Sequence, residues 1–302
     1  MKSTALHAIA LGLASLLCAT SHAELTEEQR RIPLETEAPT PGLPKVVLLA
    51  GSVSNKPGQH EYFAGCALMA DCLRQSGKVW PVLVAEGWPK NEAVFKDARA
   101  LVVYADGGPR LSFLAPERWN RVRQVADSGA GLVFLHQAVE VPDDRASEFQ
   151  QWIGAVWQKD IGCRGHWDME FSQFPKHPVL QGVTAFAAPL DGWLYNLHFS
   201  PQAVPLLAGA VPDKSRSTAN AKSHAERPEV VAWAFERANK GRSFAFTGCD
   251  LHRNWGVESQ RRMLVNAILW SAGIDVPSEG APVSITPAAL SANLDAKHAP
   301  AK

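Results

Sequence analysis

KVVLLAG, residues 45–51, is the first of four short apolar runs that decide the fold. The others occupy residues 79–85, 100–104 and 131–136, and each is followed by glycine or polar residues. Runs this short that are apolar at nearly every position are typical of strands buried on both faces of a parallel sheet. The four runs therefore predict the centre of an α/β domain.

Helical patterns alternate with these runs. Residues 59–76 carry apolar side chains at helical spacing and end at Gly77, and residues 116–128 begin with a proline suited to a first turn. Residues 258–272 form a last helix. Strands alternating with helices predict right-handed βαβ units and a doubly wound parallel sheet.

The alternation stops between residues 143 and 228. We interpret this segment as a β-rich insertion at one edge of the sheet, with a helix near 147–156 and a polar, exposed loop at 213–227. Three short strands are expected within it, over residues 165–171, 192–199 and 204–210. Residues 230–235 and 242–247 then predict a hairpin around an Asn-Lys-Gly turn.

Composition limits the class of protein. The 302 residues are 46% hydrophobic and carry 30 basic and 30 acidic side chains, which excludes global disorder and argues against a nucleic-acid partner. Residues 1–23 read as a secretory signal peptide cut after Ala23, since a basic start and a short apolar run precede small residues. A lipid on Cys18 is the alternative, but Leu17 is bulky for such a site. We therefore expect a periplasmic or secreted protein without a membrane span.

Two flanking segments and the cysteines complete this outline. Residues 24–44 form a proline-rich lead-in, residues 45–277 the main domain, and residues 278–302 a small polar tail. Cys66, Cys72, Cys163 and Cys249 allow three disulfide pairings, although buried thiols are the simpler interpretation. Cys66 and Cys72 are too far apart along one helix to bridge.

Ligands of doubly wound sheets bind beyond the carboxyl ends of the strands. His136 directly follows the fourth run, where an imidazole can serve as general base or metal ligand. His60 and Glu61 follow the first run, and Asp106 follows the third. A packed histidine, a helix cap and an empty turn are the respective structural alternatives.

Two later segments combine histidine, carboxylate and indole. They are Gly165–Asp168, with His166 and Trp167, and Asp250–Trp255, with Asp250, His252, Arg253 and Trp255. Carboxylates and imidazoles can hold sugar hydroxyls while an indole packs on the ring, and the same groups could bind zinc or manganese. No ligand spacing of a known metal motif is present, so the metal stays an open alternative.

The ordered set of motifs resembles the trehalose-utilisation (ThuA-like) family. It comprises VVLLAG, GQHEY, GWP, VVYADGG, GLVFLHQAVE, WIG, HPVLQGV, WLYN, HRNW and LVNAILWSAG. The resemblance covers residues 45–277. It implies a flavodoxin-like fold, related to class I glutamine amidotransferases, and a role in the catabolism of sugars such as oxidised disaccharides.

The chain departs from the pattern in two places. His136 and Gln137 stand where amidotransferase relatives carry a nucleophilic cysteine, so a cysteine-dependent amidotransferase is excluded. Gly192 and Leu194 replace a glutamate and a tyrosine that relatives often show.

Two hypotheses follow. The first is an exported isomerase, lyase or hydrolase of a disaccharide or keto-sugar derivative, with His136 as base or metal ligand and Glu61 or Asp106 as orienting carboxylate. The substrate-binding residues expected around them are His60, Gln137, His166, Trp167, Asp250, His252, Arg253 and Trp255. The second is a carbohydrate-binding protein that keeps the pocket without catalysis.

Overall fold

A seven-stranded sheet forms the centre of the protein. The structure, a computed structural model, describes residues 24–38 and 42–297, so the predicted signal peptide lies outside the described residues. The strands are Lys45–Ala50 (β1), Trp80–Val84 (β2), Ala98–Tyr104 (β3), Gly131–Leu135 (β4), Ala155–Val156 (β5), Cys163–Phe171 (β6), Phe186–Tyr195 (β7), His198–Phe199 (β8), Val204–Gly209 (β9), Glu229–Glu236 (β10) and Arg242–Phe246 (β11).

The strand order is β2-β1-β3-β4-β11-β10-β9. Strands β2, β1, β3, β4 and β11 run parallel, while β10 is antiparallel to both of its neighbours. The predicted hairpin of residues 230–247 is confirmed as β10–β11. Every residue of β4 and all but the first of β1 are buried, as expected for central strands covered on both faces.

Helices cover both faces of this sheet, so the doubly wound, flavodoxin-like α/β class is confirmed. The α-helices are Tyr62–Ser76 (α1), Pro116–Asp127 (α2), Asp143–Ile153 (α3), Ala219–Lys222 (α4), Glu258–Ser271 (α5) and Pro287–Leu290 (α6). Helices α1 and α5 pack on one face, and α2 and α3 on the other. The 3₁₀ turns are Gln29–Arg31, Glu92–Phe95, Gly108–Arg110, His136–Val139, Pro178–Leu180, Asp213–Ser215 and His252–Gly256.

The region from 143 to 228, predicted as an insertion at one edge of the sheet, contributes a helix and a strand to the framework itself. Helix α3 lies in the helical layer and ends at Ile153, because Gly154 adopts a left-handed conformation with φ of 79°. Strand β9 forms an edge of the central sheet, and β6 pairs with β7 as a separate hairpin.

The segment 213–227, expected to be an exposed loop, has a buried anchor. The Arg216 guanidinium donates to Glu229 Oε1 at 2.7 Å, and both side chains are buried. Arg216 also donates to backbone carbonyls of Ala225 and Arg227, at 3.2 and 2.9 Å. Burial of a charged group requires such partners, and they order the segment.

The remaining expectations concern the cysteines, the tail and membranes. All four cysteines named above are free and buried. The tail lies against the domain, since the Lys297 ammonium is buried beside Glu61 at 3.2 Å and donates to the backbone carbonyls of Gln59 and His60. No helix within the described residues is long and apolar enough to cross a membrane.

Candidate functional site

Four loops that follow adjacent parallel strands bring a cluster of polar side chains together. They follow β1, β3, β4 and β11 and carry His60, Asp106, His136 and Asp250 respectively. All four side chains are buried. Polar groups of this density are rarely buried unless they are mutually hydrogen-bonded, and here they are.

Backbone pairing holds the first and last of these loops together. The His60 amide donates to Asp250 O at 3.0 Å, and the His252 amide donates to Gly58 O at 2.9 Å. The buried carboxylate of Asp191 accepts from the Cys249 and Leu251 amides at 2.9 and 3.0 Å. Asp191 therefore fixes the backbone on both sides of Asp250.

His60 is the centre of the cluster. Its Nδ1 lies 2.9 Å from Asp106 Oδ1, and its Nε2 lies 3.1 Å from Asp250 Oδ1 and 3.0 Å from His136 Nε2. The Tyr62 hydroxyl donates to Asp106 Oδ1 at 2.8 Å and so braces the same carboxylate. Asp106 is thus the orienting carboxylate of His60.

His136 begins a 3₁₀ turn directly after β4, with φ of 58°. A left-handed conformation is uncommon for a residue with a side chain and is often retained at functional sites. The His136 Nδ1 lies 3.2 Å from Thr247 O. Since a carbonyl oxygen only accepts, Nδ1 carries the hydrogen and the Nε2 lone pair faces His60.

Asp250 is held through one of its two oxygens. Oδ2 accepts from Gln59 Nε2 at 3.0 Å and lies 2.6 Å from His166 Nε2. Oδ1 is buried and makes no well-aligned hydrogen bond, although His60 and His136 lie near it. The free oxygen therefore points toward the two histidines of the cluster.

The charges in the cluster follow from burial and from these partners. Burial, together with the neighbouring His60 charge, lowers the pKa of His136 to about 4, so its imidazole is neutral. Burial disfavours the charged form of His60, but hydrogen bonds to Asp106 and Asp250 outweigh it and raise the His60 pKa. Burial would raise the pKa values of those two carboxyls, yet hydrogen bonding to His60 lowers both to about 2. Since the Asp106 carboxylate and the His136 Nε2 lone pair can only accept, both ring nitrogens of His60 carry hydrogens, and the cluster combines one imidazolium, one neutral imidazole and two carboxylates.

A cavity of about 240 Å³ opens onto this cluster. It is lined by Asn55, His60, His136, Gln137, Arg164, Gly165, His166, Gly192, Trp193, Leu194 and Asp250. Cavities of about 710 and 480 Å³ lie elsewhere on the molecule, and neither is lined by a histidine. The smaller cavity is therefore the candidate site, because it alone of the three is lined by histidines, whose charge changes near neutral pH.

Several residues that we predicted for the site lie outside this cavity. The Glu61 carboxylate accepts from the Gly58 and Asp295 amides, and His252 Nε2 lies 2.8 Å from Leu290 O. We expected His252 to share one pocket with His136, and the structure corrects this by placing it against the C-terminal segment. Glu61 and His252 therefore contact the C-terminal segment and do not line this cavity.

The predicted aromatic and cationic partners also lie elsewhere. Trp167 and Trp255 are buried in the core, where Trp167 packs edge-on to Tyr195 and Trp255 packs against Tyr104. Arg253 is exposed and donates to Pro189 O at 3.2 Å. No indole face of the predicted pair is thus available to a sugar ring.

Sequence reasoning missed several contributors to the site. Gln59 and Tyr62 belong to the GQHEY motif but receive no role in the sequence analysis, and Arg164 lies directly before the predicted segment Gly165–Asp168 and outside it. The Arg164 guanidinium pairs with Glu140 at 2.8 Å and stacks on Trp157 at the cavity. The signal available for Gln59 and Tyr62 was their position, since both are polar residues within two positions of His60.

Gly192 departs from the family pattern and has a structural reason. It pairs with His166 across the β6–β7 hairpin, and Asp250 packs against it. A Cβ at this position would lie 2.6 Å from Asp250 Oδ2. Asp250 as placed here is therefore incompatible with the glutamate that relatives often show.

The Gly192→Ala variant is expected to lose about 1–3 kcal/mol of unfolding free energy, because the added methyl overpacks the Asp250 contact. Urea unfolding measures this loss. Gly165→Ala is the matched control in the same hairpin, since the tightest contact of a Cβ there is a Trp167 ring atom at 3.1 Å and the other contacts lie at 3.5 Å. Equal losses in the two variants would show that Asp250 does not require the glycine.

Comparison with known proteins shows the family of this chain and supports its fold. The family model named ThuA, described as trehalose utilisation, matches residues 48–271. A ThuA-like protein from Bacteroides uniformis ATCC 8492 is similar in structure, with a TM-score of 0.58, 14% identity and coverage of 82% of this chain and 98% of that one. One from Parabacteroides merdae ATCC 43184 has a TM-score of 0.55, 16% identity and coverage of 80% and 96%. No curated protein matches the chain significantly by sequence.

Proposed function

We propose that this protein, which belongs to the trehalose-utilisation (ThuA) family, is an enzyme that acts on oxidised disaccharides. Membership of the family suggests a role in carbohydrate metabolism. The reaction is abstraction of a proton from the carbon beside a ring ketone. One observation carries the proposal. The cavity joins a buried imidazolium, His60, to an exposed imidazole, His166, that is paired with the buried carboxylate of Asp250.

His166 is the base in this proposal. Its side chain is 56% exposed and lines the cavity, and its Nε2 lies 2.6 Å from Asp250 Oδ2. An ionised carboxylate only accepts hydrogen bonds, so Nε2 carries the hydrogen and Nδ1 the lone pair. A histidine oriented by a buried carboxylate in this way is the usual arrangement of a general base.

We had assigned the base role to His136 from the sequence, with metal ligation as the alternative. Its pKa of about 4 makes it a weak proton acceptor at neutral pH, and its lone pair faces His60 within the buried cluster. His136 therefore supports the floor of the site, where it accepts the hydrogen bond of the His60 imidazolium.

The proposed step balances as follows. The proton leaves the carbon beside the ketone and goes to His166 Nδ1, and the electron pair of that C–H bond moves toward the carbonyl oxygen. The hydrogen bond of His60 Nε2–H then shifts from His136 Nε2 to the resulting enolate oxygen, and Asp106 and Asp250 favour the protonated form of His60. A fixed positive donor at the point where negative charge develops lowers the barrier. Return of a proton from His166 to carbon completes an isomerisation. In an elimination, the glycosidic oxygen on the adjacent carbon instead leaves with the bonding electron pair and takes the proton from His166 to become a hydroxyl.

The experiment is incubation of the protein with trehalose in which one ring hydroxyl has been oxidised to a ketone. We expect consumption of this sugar, followed by NMR, and no change in unoxidised trehalose, because only the ketone acidifies the neighbouring C–H. A non-catalytic carbohydrate-binding protein is the second candidate, favoured by the absence of the glutamate and tyrosine at Gly192 and Leu194. It would gain thermal stability from the sugar without consuming it.

We also propose that the protein is exported. The basic start, the apolar run and the small residues before Glu24 carry this proposal. In a host that secretes it, N-terminal sequencing of the mature protein is expected to begin at Glu24. A chain that begins at Met1, or that carries a lipid on Cys18, would refute the proposal.

A further inference from the structure

We infer that His60, His136 and Asp250 bind a divalent transition-metal ion at the floor of the cavity. One ligand atom from each residue meets the other two at close range. His60 Nε2 lies 3.0 Å from His136 Nε2 and 3.1 Å from Asp250 Oδ1, and His136 Nε2 lies 3.8 Å from that oxygen.

These separations match the edges of a coordination polyhedron. Two ligand atoms that are each about 2.0–2.1 Å from a tetrahedral zinc ion lie about 3.4 Å apart. Of the three distances between ligand atoms here, those of 3.0 and 3.1 Å are shorter than that value and that of 3.8 Å is longer. An ion therefore fits among the three atoms after shifts of a few tenths of an ångström.

The outer partners of both histidines are those of metal ligands. His60 Nδ1 lies 2.9 Å from Asp106 Oδ1, and His136 Nδ1 lies 3.2 Å from Thr247 O. Metal-binding imidazoles typically donate their second N–H to a carboxylate or a backbone carbonyl, which aims the other nitrogen at the ion. Here the two Nε2 atoms lie 3.0 Å apart, and both lie within 3.8 Å of the same Asp250 oxygen.

Asp250 supplies a second, independent observation. Its Oδ2 is engaged by Gln59 and His166, whereas its Oδ1 is buried without a well-aligned hydrogen bond. An unsatisfied carboxylate oxygen in a buried site is costly, and a bound cation would satisfy it. That oxygen is the one that faces both imidazole nitrogens.

The donor set selects the class of ion. Two imidazoles and one carboxylate suit zinc, manganese or iron, whereas magnesium and calcium prefer oxygen ligands alone. Three protein ligands leave a coordination position open, as in catalytic metal sites. A bound ion would take the place of the His60 Nε2 hydrogen and would itself supply the positive charge near the sugar carbonyl oxygen. This use of the ion rests on the proposed function, whereas its binding does not.

Zinc binding without any sugar is therefore the test. The full chain is stripped with a chelator, reloaded with Zn²⁺ or Mg²⁺, dialysed and analysed for metal content. We expect about one zinc per chain, no retained magnesium, and at least a 10-fold loss of zinc affinity in His60→Asn, His136→Asn and Asp250→Asn. His198→Asn, which alters an exposed histidine outside the cavity, is expected to bind zinc as the wild type does.

If a variant does not fold, a measurement on the wild type still tests the inference. Zinc-edge X-ray absorption is expected to show two imidazole ligands. Absence of retained zinc in the wild type, a spectrum without imidazole scattering, or equal affinity in all folded variants would each overturn the inference. Zinc binding without sugar turnover would overturn the proposed function and leave the metal site intact.

Discussion

Replacing His166 by asparagine is expected to lower turnover of the keto-disaccharide by about 10²–10⁴-fold, the usual contribution of a positioned base. The melting temperature should stay close to that of the wild type, because the ring is more than half exposed and its one strong partner is Asp250. Asparagine retains a hydrogen-bonding group of similar reach but cannot accept the proton at neutral pH. Kinetics and thermal melting on one preparation measure both quantities.

The control for this prediction is His198→Asn. His198 is also exposed and begins a short strand of the same region, but it does not line the cavity. We expect unchanged turnover in this variant. Near-normal turnover in a folded His166→Asn protein would instead remove His166 from the reaction and require another base.

Replacing Glu229 by alanine is expected to lower the free energy of unfolding by about 3–5 kcal/mol. The change leaves the Arg216 guanidinium buried without its carboxylate, while its contacts to backbone carbonyls persist. The loss should reach the site as well, since Arg216 anchors a segment in which Ser215 O accepts from the Tyr195 hydroxyl of β7. Urea unfolding followed by fluorescence is the measurement.

The matched control is Glu27→Ala. Glu27 also pairs with an arginine at 2.7 Å, but both side chains of this Arg31 pair are exposed. Exposed pairs contribute at most about 1 kcal/mol, so little change is expected. Equal, small losses in the two variants would mean that burial does not make the Arg216 pair important.

The sequence predicted the framework because its signals were local. Four apolar runs identified the parallel strands, and the rule for the carboxyl ends of strands then located His60, Asp106 and His136 at one edge of the sheet. Asp250 is a candidate because its segment combines histidine, carboxylate and indole, and it follows β11 at the same edge of the sheet. Strand ends are thus a strong guide to which loops meet.

The rule for strand ends does not predict the orientation of individual side chains. Glu61 is adjacent to His60 in the chain, but α1 begins directly after it and turns its carboxylate toward the tail. His252 opens a 3₁₀ turn two residues after Asp250 and turns toward Leu290. Both contacts join segments that are distant in sequence, and no local pattern encodes them.

The tryptophans illustrate a second limit. Indoles beside histidines and acids are consistent with a sugar platform, but an indole is also the largest side chain available to fill a core. Trp167 and Trp255 fill the core on the face that α1 and α5 cover. Their sequence neighbours give no sign of this, because burial depends on the packing of the hairpin and helices around them.

The central claim is that the protein removes a proton from the carbon beside a ring ketone, and isotopic labelling tests it most directly. Oxidised trehalose carrying deuterium at that carbon is incubated with the wild type and followed by NMR. We expect slower turnover than with the unlabelled sugar and a product without deuterium at that carbon. In His166→Asn we expect neither turnover of the labelled sugar nor loss of its deuterium. Consumption of the labelled sugar at an unchanged rate, with deuterium retained at that carbon, would contradict the account.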